Sequence, residues 1–173
     1  MAVRHRGAAG TLRRAAGALC PALLLVAACR PTPSLQAYWT GTDTGKAVLP
    51  ARAALCGARG PLLIFGQSGD TGIGLALYPL DSMAEGKYPV FDPTQGVVRP
   101  GAAVAARWTR KMVMADLRGT QGQVALEQAG PMVSGHFSAR TAGVVISGAV
   151  AMEGSFRGIP LVHDGPDCAG HPR

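Results

Sequence analysis

GQVALEQAGPMVSGHFSAR, residues 122–140, alternates apolar and polar side chains on either side of a Gly-Pro pair. Val133, Gly135, Phe137 and Ala139 fall on one face at period two, and Ser134, His136, Ser138 and Arg140 fall on the other. A strand turns successive side chains to opposite faces, so this run reads as a strand with one buried and one wetted side. Val124 and Leu126 alternate against Gln123, Ala125 and Glu127 in the same way.

The pattern spreads in both directions. Val104–Thr109, Met112–Arg118, Gln123–Gln128, Met132–Arg140, Val144–Met152 and Gly154–Val162 follow one another through short connections, as in an antiparallel meander. Two Gly-x-Phe phrases, Gly135-His136-Phe137 and Gly154-Ser155-Phe156, predict neighbouring strands whose phenyl rings enter the core where glycine permits close approach. Upstream, Ala37–Thr40 and Ala47–Cys56 flank the turn GTDTGK, Pro61–Gly66 is an apolar run, and Ile73–Pro79 follows QSGDTG. Residues 81–100, with Pro89, Pro93 and Pro100, read as a long loop holding a brief strand near Val90. No segment sustains a helical stripe. The expectation is an all-β domain, a single antiparallel β-sandwich or partly closed barrel of about 8–10 strands.

The N-terminus is of another kind. Arg4, Arg6, Arg13 and Arg14 precede an apolar run from Ala15 to Ala28 that leads into Cys29, the order of a secretory signal. Val26-Ala27-Ala28-Cys29 resembles the lipobox of bacterial lipoproteins. That resemblance implies diacylglyceryl attachment at the Cys29 sulfur, removal of residues 1–28, and a lipidated tether at 29–36 ahead of an all-β domain at 37–173. Several acyl groups hold a membrane stably where one does so only marginally. Ordinary cleavage before Cys29 is the competing reading, and the apolar run is short of the ~20 residues that span hydrocarbon. Arg30 follows the cysteine where an Asp would imply inner-membrane retention, so the periplasmic face of a bacterial outer membrane is expected. Residues 122–139, with GSFRG after them, resemble the strand pattern of small β-sandwich domains in bacterial envelope lipoproteins, which brings no catalytic residues with it.

Charge and cysteine count are read after removal of the signal. Four of the 17 basic residues precede position 29 and all 10 acidic residues follow it, leaving 13 against 10, a balance of +3. That is no footprint for nucleic acid, which calls for basic residues clustered on one face. Cys20 leaves with the signal and Cys29 takes lipid, so Cys56 and Cys168 remain in an oxidising compartment and are expected to pair. A loop of that length is worth about 4 to 5 kcal/mol in the chain-entropy account. The rival is a metal site in which Cys56, His163, Cys168 and His171 converge; the tail spacing H-x4-C-x2-H matches no common finger.

Other motifs read as structure. Asp43-Thr44-Gly45 and Asp70-Thr71-Gly72 echo the triplets of aspartic proteases, yet Thr42 and Gly69 precede them where an apolar strand should enter, so both read as turns. GQSGDTGIG lacks the Gly-Lys-Ser/Thr ending of a phosphate loop, and no cofactor is expected. Trp108, 52 residues after Cys56 and 60 before Cys168, is misplaced for an immunoglobulin core. The run Arg107-Trp108-Thr109-Arg110-Lys111 reads either as a face for an anionic surface or as a charged turn with the indole packed inward. No Gly-x-Ser-x-Gly elbow accompanies the serines, and His136 lies on a polar strand face. The functional expectation is a noncatalytic binding or structural lipoprotein with a membrane anchor and an envelope protein or polysaccharide partner. An exported hydrolase and a periplasmic metal binder are the alternatives.

Overall fold

Burial alternates along the C-terminal strands as the sequence pattern requires: Val133, Gly135, Phe137, Ala139 and Thr141 point inward while Met132, His136, Ser138 and Arg140 point out. The computed structural model describes residues 32–110, 113–143 and 148–169. Its strands are β1 (Ser34–Gly41), β2 (Gly45–Leu55), β3 (Leu62–Ser68), β4 (Thr71–Tyr78), β5 (Gly86–Pro89), β6 (Gly101–Arg110), β7 (Val113–Ala129), β8 (Met132–Gly143) and β9 (Ala149–His163). Around the sheet the order is β1-β2-β3-β4-β6-β7-β8-β9, and β9 returns to β1, so eight antiparallel strands close a barrel and β5 adds as a ninth along β7. The all-β expectation holds, and the closed barrel decides against the sandwich.

An eight-stranded barrel has an interior just wide enough for side chains to fill. Leu35, Leu62, Ile73, Leu77, Val124, Phe156 and Ile159 are fully buried there, and Phe137 is only 2% exposed. Facing the two Gly-x-Phe phrases explains the packing. Gly135 pairs with Phe156 and Gly154 with Phe137, and a Cβ on either glycine would lie 2.6 Å from the phenyl ring opposite. Each ring covers the bare backbone of its cross-strand partner. Because the apolar side faces in and the polar side faces out, the arrangement is the reverse of a lipid-spanning barrel.

Three details differ from expectation. The first strand begins at Ser34, three residues before Ala37, because Ser34, Leu35 and Gln36 pair with both β2 and β9. Met112–Arg118 and Gln123–Gln128 are expected as two strands; Met112 lies outside the described residues, and Val113–Arg118 and Gln123–Gln128 belong to one strand, β7. The intervening Gly119-Thr120-Gln121-Gly122 makes a bulge there, with Gly122 at φ +131°, in place of a turn. Val144–Met152 and Gly154–Val162 are likewise expected apart; residues 144–147 lie outside the described residues, and from Ala149 the chain runs unbroken through Gly154 in β9. In both cases glycine marks bending or close packing, and the ladder continues because neighbours on both sides supply hydrogen bonds. Past the bulge β7 diverges from β6, and β5 enters the gap. Val90 N–H donates to the Gly122 carbonyl at 2.9 Å and Phe91 N–H to the Ala102 carbonyl at 3.0 Å.

The antiparallel order gives the barrel two distinct ends. The 42–44 and 69–70 turns lie at one end. The loops 56–61 and 79–100, the Gly130-Pro131 turn and the C-terminal tail lie at the other. Below Ser34, where β1 is absent, β2 and β9 pair directly and in parallel from Ala53 with Leu161 to Leu55 with His163. β1 therefore begins on the flank near the tail end.

Candidate functional site

The cysteine pair forms a disulfide. Cys56 and Cys168, 112 residues apart, are bonded with their Cα atoms 5.3 Å apart. The tail is held in two further ways: Asp164 accepts from the Gly57 N–H at 2.9 Å, and Asp167 accepts from Arg52 Nε and Nη2 at 2.8 and 3.0 Å. The hydrogen bond from Arg52, with the Coulomb attraction of Asp167, raises the guanidinium pKa above its ordinary value despite some desolvation. The metal alternative loses its sulfur ligands, since both thiols are consumed in the bond. His163 is exposed at the end of β9. Cys29, the signal segment and His171 lie outside the described residues.

The Asp-Thr-Gly triplets are turns. Gly69-Asp70 is the two-residue connection of the β3–β4 hairpin, with Gly69 at φ +54° and Ser68 paired to Thr71. Asp43 is engaged elsewhere, and sequence reasoning missed its role. Trp39 and Trp108, each 3% exposed, stack with ring centroids 4.6 Å apart at the turn end of the barrel. Both indoles donate to Asp43 Oδ2, at 3.4 Å from Trp39 and 3.0 Å from Trp108, while Asp43 Oδ1 accepts the Thr44 N–H at 2.9 Å. One carboxylate thus closes the barrel end over two indoles. Arg107–Arg110 is the end of β6, with Trp108 inward and Arg107 paired to Asp116 at 3.0 Å, while Lys111 lies outside the described residues. The signal in the sequence was faint: Trp39 and Asp43 are four residues apart, but only the closed order of strands brings Trp108 to them.

His136 meets a carboxylate. Its Nδ1 lies 2.9 Å from Glu127 Oε1, with the side chains 57% and 61% exposed. Ser155 is opposite His136 in the ladder, but Glu127 is the side chain hydrogen-bonded to the ring. A pair so exposed is screened and worth at most about 1 kcal/mol.

Two of the depressions formed by the described residues lie on the outer wall. The larger, about 440 Å³, lies over β3, β4 and β6, floored by Leu63, Gly74, Ala76 and Ala103. Arg52 lies 4.7 Å over its Phe65 ring and binds Asp167, and Arg118 Nε, 3.5 Å from Asp92, is ion-paired there but makes no hydrogen bond among the described residues. The other, about 390 Å³, crosses β1, β9, β8 and β7 and is bordered by Tyr38, Glu153, Arg140 and Gln121. Here one register row runs Tyr38, Glu153, Ser138 and the next Thr40, Ala151, Arg140, Gln121. Arg140 and Glu153, both exposed, form no side-chain ion pair among the described residues. This second groove is the candidate site.

Among protein families, curated proteins and solved structures, none matches this chain.

Proposed function

We propose that the chain is an exported bacterial envelope protein, lipid-anchored through Cys29 at the periplasmic face of the outer membrane, with a noncatalytic binding role. The observation that carries the binding reading is the filled barrel: its interior is occupied by Leu35, Phe137, Phe156 and their neighbours, so a ligand is met on the outer wall. The export reading rests on the basic and apolar residues before Cys29, and the Cys56–Cys168 bond suits an oxidising compartment. With β1 beginning at Ser34, the tether from Cys29 spans at most about 17 Å, so the flank near the disulfide faces the bilayer. The partner is an envelope polysaccharide or protein reached from the opposite side.

The test is metabolic labelling. Cys29→Ala abolishes incorporation of a labelled fatty acid and leaves unprocessed or soluble protein. Unchanged labelling of that variant overturns the lipid anchor.

A further inference from the structure

The groove bordered by Tyr38, Glu153, Arg140 and Gln121 exists because the side chains at its centre are short. In the row Thr40, Ala151, Arg140, Gln121 the residue beside Arg140 is a single methyl, and in the adjoining row Ser138 lies next to Glu153. Gly122, strongly bent at φ +131°, adds no side chain on the β7 side. The hollow of about 390 Å³ is at the small end of the ~300–1,000 Å³ range of ligand sites.

Resting on the reading of this chain as an envelope binding protein, we infer that this groove binds a neutral saccharide unit. The charges select against other classes. Within the groove's own lining, an anion drawn to Arg140 meets the Glu153 carboxylate and a cation drawn to Glu153 meets the guanidinium, so net charge gains from one group what the other takes away. Exposed Lys46 lies outside the lining, across from Tyr38. A neutral ring bearing hydroxyls gains from both. Glu153 accepts O–H donors, Arg140 donates to hydroxyl oxygens, and each of these bonds is charge-assisted. Tyr38, 51% exposed, offers a flat apolar ring with a polar tip, which suits the C–H face of a pyranose. Thr40, Ser138 and Gln121 supply neutral partners for the remaining hydroxyls. Position agrees with chemistry: Tyr38 and Thr40 lie about 13 to 20 Å along β1 from Ser34, on the side away from the tether.

The experiment presents the processed protein in detergent to immobilised neutral oligosaccharides, both N-acetylhexosamine and hexose polymers, alongside phosphorylated and sulfated glycans. Binding to at least one neutral polymer is expected, and the arm that binds identifies the source. Tyr38→Ala, Arg140→Ala and Glu153→Gln each weaken it at least about tenfold, whereas Val48→Ala, on the exposed face of β2, leaves it unchanged. All four side chains face solvent, so thermal unfolding of the variants matches the wild type. Absence of neutral-glycan binding, binding that none of the three groove substitutions weakens, or a preference for phosphorylated glycans that Glu153→Gln strengthens overturns the inference. Fatty-acid labelling of the same preparations separates the two readings: a labelled protein that binds no glycan refutes the saccharide site alone, and an unlabelled glycan binder refutes the anchor alone.

Discussion

At the scale of the residue, Asp43 is the position where most depends on a single side chain. Two indole N–H groups converge on its Oδ2 in a partly buried setting. Asp43→Ala removes the acceptor that both indoles share, a loss of about 1 to 3 kcal/mol. Asp43→Asn, which keeps an acceptor, costs less; urea unfolding followed by the fluorescence of Trp39 and Trp108 measures both. Phe137 and His136 make a second contrast, because they are neighbours on opposite faces of β8. Phe137→Ala should cost about 3 to 5 kcal/mol, while His136→Ala stays within about half a kcal/mol. A residue-scale pH effect belongs to Asp92, whose pKa is lowered by hydrogen bonds from the Thr94 N–H and hydroxyl, helped by Arg118. A depressed carboxyl pKa contributes stability above the ordinary value of about 3.9, and that contribution is lost as pH falls through the lowered value. NMR titration therefore finds the Asp92 midpoint below the ordinary value, and Thr94→Val moves it upward.

At the scale of the element, the glycines of β8 and β9 matter through what lies on them. A Cβ at Gly154 would press on the Gln36 carbonyl and the Phe137 ring, and one at Gly135 on the Ala125 carbonyl and the Phe156 ring. Overpacking of this kind costs about 1 to 3 kcal/mol or more, so Gly154→Ala lowers the denaturation midpoint, whereas Gly130→Ala, with nothing near its Cβ, has little effect. Alternation from Val133 to Ala139 was legible because each strand has one wet face. The joins were not. GTQG at 119–122 has the composition of a turn, and the chain passes through it as a bulge because β8 pairs on one side while β6 and then β5 pair on the other. Local composition carries no information about which neighbours will be present.

At the scale of the whole molecule, the disulfide joins the end of β2 to the tail beyond β9, where the two strands pair directly. Opening it by paired Cys56→Ser and Cys168→Ser substitution should cost about 2 to 5 kcal/mol, and intact mass should show the native protein lighter by two hydrogens than its reduced form. With Cys20 and Cys29 assigned to the export segment, counting left Cys56 and Cys168 as the expected pair, and the structure decided for the bond over the metal alternative. Period-two burial was enough for the all-β class and for the facing of Phe137 and Phe156, because side-chain direction in a strand is a local property. Closure of the barrel, the convergence of Asp43 on Trp39 and Trp108, and the groove between Tyr38, Glu153 and Arg140 were decided only by the tertiary structure. Each depends on which strands lie side by side and in what register, and register is settled by long-range ladders such as β1 with β9, more than a hundred residues apart in the chain.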